Sequence, residues 1–309
     1  KQFTGKATPV MVKRVDTNGT EVTATYTPNV TKVTPTSTPA TSSGPQGVPQ
    51  TGTPVFKEGD PAVPIDYTKQ MTFDDDQPKK TVAGVGEYTI NSDGSITFTP
   101  DKKYVGTPAA VTVKRVDENG TEIRATYTPT VTEVTPSSTN AVSSGLQGQP
   151  QSGKPTFTPG DQAVPIDMTK PMTFENGTDT LVVANQGTYT INSDGSITFT
   201  PDKQFTGKAT PVTVKRVDAN GTEITATYTP TVTKVIPTST NATSTGPQGV
   251  PQTGTPTFAG GDPLVPIDES VEPTFEDGSK EKKIPGQGTY TIAPDGVVTF
   301  TPEKQYVGK

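Results

Sequence analysis

Three copies of one acidic turn set oxygen side chains at alternate positions: Asp16-x-Asn18-Gly19, Asp117-x-Asn119-Gly120 and Asp218-x-Asn220-Gly221-Thr222-Glu223. Oxygen side chains at alternate positions ahead of a glycine open a calcium loop in this way. A full loop would also need a third oxygen ligand at the right offset and a distal bidentate acid. The plainer chemistry is a turn whose Asp bonds its own backbone, so no metal or cofactor ligand is assigned. Lys114 and Lys215, with Asp66, Asp167 or Asp268, are nominal partners for a Lys–Asp isopeptide crosslink. That bond requires a buried lysine beside an acid, whereas a lysine on a strand ordinarily faces water. Asp74, Asp75 and Asp76 set carboxylates side by side, as acid–base catalysis would need. Their copies read Glu175-Asn176-Gly177 and Glu276-Asp277-Gly278, the pattern of a solvated turn. An active site tends to be built once, not copied along a string. No catalytic residue is assigned, and the chain reads as a non-enzyme.

Two further motifs have a chemical and a plain reading. Val48-Pro49-Gln50-Thr51-Gly52 and Val250-Pro251-Gln252-Thr253-Gly254 mimic the sortase signal L-P-x-T-G. No apolar span or basic tail follows either copy, so both read as linker. Thr126 with Thr128, and Thr198 with Thr200, resemble the ladders of ice-binding faces. A twisted short strand would spoil such a lattice, and outward threonine is ordinary on strands.

Composition narrows the chemistry further. Cysteine and histidine are absent, which removes thiolate chemistry, disulfides, imidazole bases and Cys/His zinc sites. The formal charge of -6 argues against a nucleic-acid or anionic membrane partner. Lys79–Lys80 and the cluster from Lys280 to Lys283 are interleaved with acids and read as solvated loop charge. No run of about 18 apolar residues suggests membrane insertion. Apolar residues are only 28% of the 309, with 32 Pro and 30 Gly, so thin two-layer cores are expected rather than one large core.

The elements that position these groups repeat at long period. Tyr26, Tyr127 and Tyr228 lie 101 residues apart, as do Asp93, Asp194 and Asp295, and Gly59, Gly160 and Gly261. A period of that length is a small domain, not a solenoid turn. Each unit contains two hairpin signals. In Gly187 to Pro201, Tyr189 and Ile191 precede an Asp194-Gly195 turn, with Ile197 and Phe199 after it. In Pro211 to Tyr228, Val212 and Val214 face Ile224, Ala226 and Tyr228 across Asn220-Gly221. Val217 breaks that parity, which predicts a bulge or a change of face near Lys215–Arg216. Shorter strands are expected at 156–157, 163–167, 172–174 and 181–184. About seven strands per unit predict an all-β chain of tandem antiparallel sandwiches, Ig-like, with almost no helix.

The stretches 34–52, 135–153 and 236–254 are rich in Pro, Ser, Thr and Gly and are expected to be linkers. That choice avoids a structureless internal loop of roughly 20 residues. It gives complete sandwiches at 53–134 and 154–235. Residues 1–33 become the last hairpin of a preceding unit, and 255–309 a partial unit lacking that hairpin. Both ends fall at the same point of the period, as in an excerpt from a longer array. Head and tail are therefore expected to complete one another between chains, an end-to-end self-association.

Three motifs recur in fixed order: the run Gly286 to Pro302, the run Pro211 to Thr222, and the run Ser244 to Phe258. Together they resemble the CshA-type fibril repeat across essentially the whole chain. The resemblance implies a repetitive region of a streptococcal cell-wall-anchored adhesin, extracellular, in which tandem repeats form a stalk and a separate region binds the host. On that reading the chain is a non-enzymatic structural stalk segment. The alternative is a low-affinity, multivalent adhesion module for host matrix protein, glycan or partner bacteria, acting by avidity. An extracellular hydrolase stands only as a formal third.

Overall fold

The computed structural model describes residues 3–308, and among these there is no helix. The chain forms two compact units. One holds the chain up to Ser137 with Phe157–Lys170 and Arg216–Ile224; the other holds Ser138–Thr156, Pro171–Lys215 and the chain from Thr225 on.

Within the first unit, residues 36–132 build a two-layer sandwich. One sheet runs Lys79–Val82, Gly86–Ile90, Ile96–Pro100, Gln50–Gly52, all antiparallel. The other runs Ala40–Pro45, Glu122–Thr132, Val111–Val116, Thr72–Phe73. A short antiparallel ribbon pairs Thr36–Thr38 with Val55–Lys57. Alternation decides which side faces in: Ile123, Ala125, Tyr127 and Val131 are buried on the long strand while Glu122 and Arg124 are exposed. Tyr88 stacks on Phe98 within the first sheet at 4.5 Å and itself meets Tyr127 and Phe73 of the second edge-on, at 6.2 and 6.4 Å. Every member of this core lies between Ala40 and Val131, inside one period.

The all-β sandwich is as the alternation predicts, with one departure: Ala40–Pro45 pairs parallel to Tyr127–Thr132, Ala40 opposite Tyr127. The linker expectation for 34–52 is overturned, because three of its segments are strands, Thr36–Thr38, Ala40–Pro45 and Gln50–Gly52. The physical reason is that small residues let this segment lie close against the core. A Cβ on Gly52 would fall 2.4 Å from the Tyr127 ring. The expected bulge is also absent from the counterpart residues. Lys114, Arg115 and Val116 pair one for one with Arg124, Ile123 and Glu122. Arg115 takes the inward position and lies over the Tyr67 ring at 4.9 Å, which ends the apolar row without a change of register.

Before this sandwich, Val10–Val15 and Glu21–Tyr26 form a hairpin with Val10 opposite Tyr26. Its apolar face is open: Tyr26 is 64% exposed, whereas Tyr127 is 0% exposed.

The second unit repeats the scheme. Gln151–Gly153, Ile197–Pro201, Gly187–Ile191 and Thr180–Val183 form a sheet in that order. Ala141–Leu146 runs parallel to Tyr228–Thr233, so the 135–153 linker expectation fails in the same way. Tyr189 packs against Phe199 at 4.5 Å with the rings tilted by 35°, and meets Tyr228 edge-on at 6.1 Å. Further on, Gln252–Gly254, Val298–Pro302, Gly288–Ile292 and Glu281–Ile284 make another four-stranded sheet. Gln252–Gly254 and Thr238–Thr240 are strands too, so 236–254 is not simply a linker.

Candidate functional site

The Asp-x-Asn-Gly turns are built from their own backbone. Oδ1 of Asp16 accepts the amides of Asn18 and Thr20 at 2.8 and 2.9 Å. Asp117 accepts those of Asn119 and Thr121 at 3.0 and 2.7 Å, and Asp218 those of Asn220 and Thr222 at 2.9 and 2.7 Å. The glycines sit at φ +80°, +82° and +76°, the left-handed region the turn requires. In the exposed first copy the Thr20 amide, then that of Asn18, holds the Asp16 carboxyl below the usual carboxylate range. Asp117 and Asp218 are 0% and 1% exposed, and their second oxygens are buried with no hydrogen-bond partner among the described residues. No group of three or more His, Cys, Asp or Glu placed to hold a metal occurs among the described residues.

The isopeptide candidates are directed elsewhere. Lys114 is largely buried, 17% exposed, contrary to the expectation of a solvent-facing lysine, and its Nζ lies 2.7 Å from Asp76. Asp66 accepts the Thr68 hydroxyl at 2.5 Å and lies 3.7 Å from Lys69. Asp167 takes the Thr169 hydroxyl and Asp268 the Ser270 hydroxyl. The three acids of the 74–76 turn diverge: Asp74 pairs with Lys80 at 2.5 Å, Asp75 accepts the Gln77 amide, and Asp76 meets Lys114. Carboxylates aimed at three different partners do not converge on a substrate. Lys79, Lys280 and Lys282 pair with Glu87, Glu272 and Glu276. Thr198 is engaged by Asn192 and Ser152.

The Val-Pro-Gln-Thr-Gly segments hold residues that sequence reasoning passed over. Gln50 is buried; its Oε1 accepts the Ser42 hydroxyl at 2.6 Å and its Nε2 donates to the Thr130 carbonyl at 3.1 Å. Ser42 also meets the Tyr127 hydroxyl at 2.6 Å. Ser143, Gln151 and Tyr228 reproduce the set with the same 2.6 Å contacts. Gln46 donates from Nε2 to the Lys102 carbonyl at 2.9 Å, and Gln147 does so to Lys203 at 3.1 Å. The signal was available: Gln46, Gln147 and Gln248 are 101 residues apart, as are Gln50, Gln151 and Gln252. A linker has no need of a glutamine at a fixed place.

These repeated internal networks, each closed within one period, agree with what the chain is similar to. The pattern of the family described as "Surface adhesin CshA repetitive domain" matches residues 1–30, 32–131, 133–232 and 234–309. The chain belongs to the CshA repeat family. A solved CshA relative, repeat domain 13 of the fibrillar adhesin from Streptococcus gordonii, is 60% identical; it covers 23% of this chain and 90% of its own, with a TM-score of 0.15. Mouse cadherin-23 domains EC22–24 also match, at 12% identity over 73% of this chain and 74% of theirs, TM-score 0.31. A titin I9–I11 tandem matches at 11% identity over 90% and 91%, TM-score 0.27. No match was found among curated proteins. The CshA repeats are thus tandem, β-rich units of a streptococcal surface fibril. No helix among the described residues is long and apolar enough to cross a membrane.

Proposed function

We propose that this chain is a non-enzymatic stalk segment that projects an adhesive region from the cell wall. The supporting observation is that one period supplies the whole of its own core, Ala40 to Val131, and the next reproduces its aromatic and glutamine contacts. A unit that closes on itself can be added in series without redesign, which gives length. Only residues 133–136 and 234–237 then separate the last strand of one repeat from the first of the next. The stalk on this reading has short joints, not the Pro-rich spacers the composition suggested. Small-angle scattering of the chain tests it: a rod-like profile is expected, and a compact globular one would rule it out. Saturable adhesion of the same chain to immobilised fibronectin or partner bacteria, above an unrelated stalk control, would promote the multivalent adhesion reading instead. A further part of the proposal is end-to-end association of chains of this length, through the open hairpin at 10–26.

A further inference from the structure

Within the first unit, the turn at 218–221 is held by a loop far away in sequence. Asn220 Nδ2 donates to the Gln46 carbonyl at 2.8 Å, and Lys102 Nζ donates to the Ala219 carbonyl at 2.8 Å. The loop is itself fixed. The Gln46 amide donates to Thr132 O, its side chain donates to Lys102 O, and its Oε1 accepts the Val134 amide at 3.4 Å. Gln46 is therefore 6% exposed, and Asn220 is also 6% exposed. Gly47 completes the seat: at φ +76° it leaves no room for a side chain, because a Cβ would fall 2.0 Å from Asn220 Oδ1.

The other copies serve as internal comparisons. Asn18 and Asn119 occupy the same turn position and are exposed. Gly148 has the same φ, +76°, with nothing within 4 Å of a Cβ. In the second unit, Gln147, Gly148 and Lys203 (counterparts of Gln46, Gly47 and Lys102) line a cleft of about 490 Å³. Gln149 there donates across it to Leu264 O at 3.0 Å. The burial of Asn220 thus follows from its seat and not from the turn alone.

We propose that the Asp-x-Asn-Gly turn of each repeat is a clasp: its Asn and the carbonyl before it dock on the Gln-Gly loop and lysine of the preceding repeat. This goes beyond the stalk reading, on which it rests, by naming what stiffens the joint. The turn is rigid because its Asp holds both flanking amides.

The chain has no cysteine, so Thr81→Cys with Met168→Cys, both exposed sites of the first unit, can carry paired spin labels on the full chain. A single narrow distance distribution is expected for the parent. Asn220→Ala should lower the docked-to-free ratio about ten-fold, the equilibrium effect of one buried hydrogen bond, and broaden the distribution. Asn119→Ala, at the same turn position without a seat, should leave it unchanged. Gly47→Ala should broaden it, whereas Gly148→Ala, which carries the same backbone strain at the next loop, should not. Circular dichroism on each variant shows that the sandwiches remain folded. A distribution unmoved by both Asn220→Ala and Gly47→Ala would overturn the clasp, as would equal broadening by the two control substitutions. Either failure leaves the rod-like scattering profile, and with it the stalk reading, intact.

Discussion

At the scale of single residues, the two copies of one tyrosine make a controlled comparison. Tyr189 Oη donates to the Thr210 carbonyl at 3.0 Å, while Tyr88 Oη is buried with no partner among the described residues. Tyr189→Phe should therefore cost about 1 kcal/mol, and Tyr88→Phe should be neutral or stabilising, since it removes an unpaired buried hydroxyl. Urea unfolding of the two variants measures the difference. Burial is the main cause that pushes the Tyr88 phenol up to about 12, and it raises Tyr189 as well. The folded state holds these protons more tightly than the unfolded chain. Their contribution to stability is thus complete below about pH 10 and falls away as pH rises toward 12. Absorbance at 295 nm should show these phenols ionising together with loss of near-UV dichroism; ionisation of Tyr88 below pH 10 in a folded chain would contradict the burial argument. Asp117 offers a second contrast. Asp117→Ala leaves two partly buried amides without their acceptor and should cost about 1–3 kcal/mol. Asp117→Asn keeps the accepting oxygen and should cost far less, again by urea unfolding.

At the scale of elements, the tyrosine row and the glycine strand have to be read together. A Cβ on Gly52 or Gly153 would strike the Tyr127 or Tyr228 ring at 2.4 Å, while on Gly254 it would meet only Ala242 Cβ at 3.3 Å. Gly153→Ala should destabilise its sandwich by about 1–3 kcal/mol, the usual cost of overpacking. Gly254→Ala should leave thermal unfolding almost unchanged. Equal effects at the two sites would show that the ring contact is not what fixes this strand. The hairpins were legible from their parity and turn residues: Tyr88, Phe98, Tyr127, Tyr189, Phe199 and Tyr228 face inward as alternation requires, and Asp93-Gly94 and Asn119-Gly120 turn as expected. The glycine strand was not legible. Its side chains are too small to mark a buried face, and its partners, Ile96 to Phe98 and the Tyr127 ring, lie some 45 to 75 residues away.

At the scale of the whole molecule, the exposed hairpin at 10–26 and the region around Gly254 are complementary in kind. Tyr26 is exposed where Tyr127 is buried, and Ser244, Gln252, Tyr290 and Phe300 line a groove of about 770 Å³ beside the place Tyr127 would occupy in its copy. Chains of this length are expected to associate end to end, with Tyr26 of one entering beside Gly254 of another. Sedimentation should show concentration-dependent association that Tyr26→Ser weakens; monomer alone across a wide range would refute it.

The sequence by itself determined the period, the all-β class, the two hairpins and their inward rows, because turn chemistry and alternation act over a few residues. Tertiary structure decided which of the small-residue segments are strands. Ala40–Pro45 and Ala141–Leu146 are strands beside their parallel partners, whereas the near-identical residues 242–247 are not. A parallel strand has no turn to announce it, and its hydrogen bonds exist only when a segment some 87 residues further along the chain comes to lie beside it.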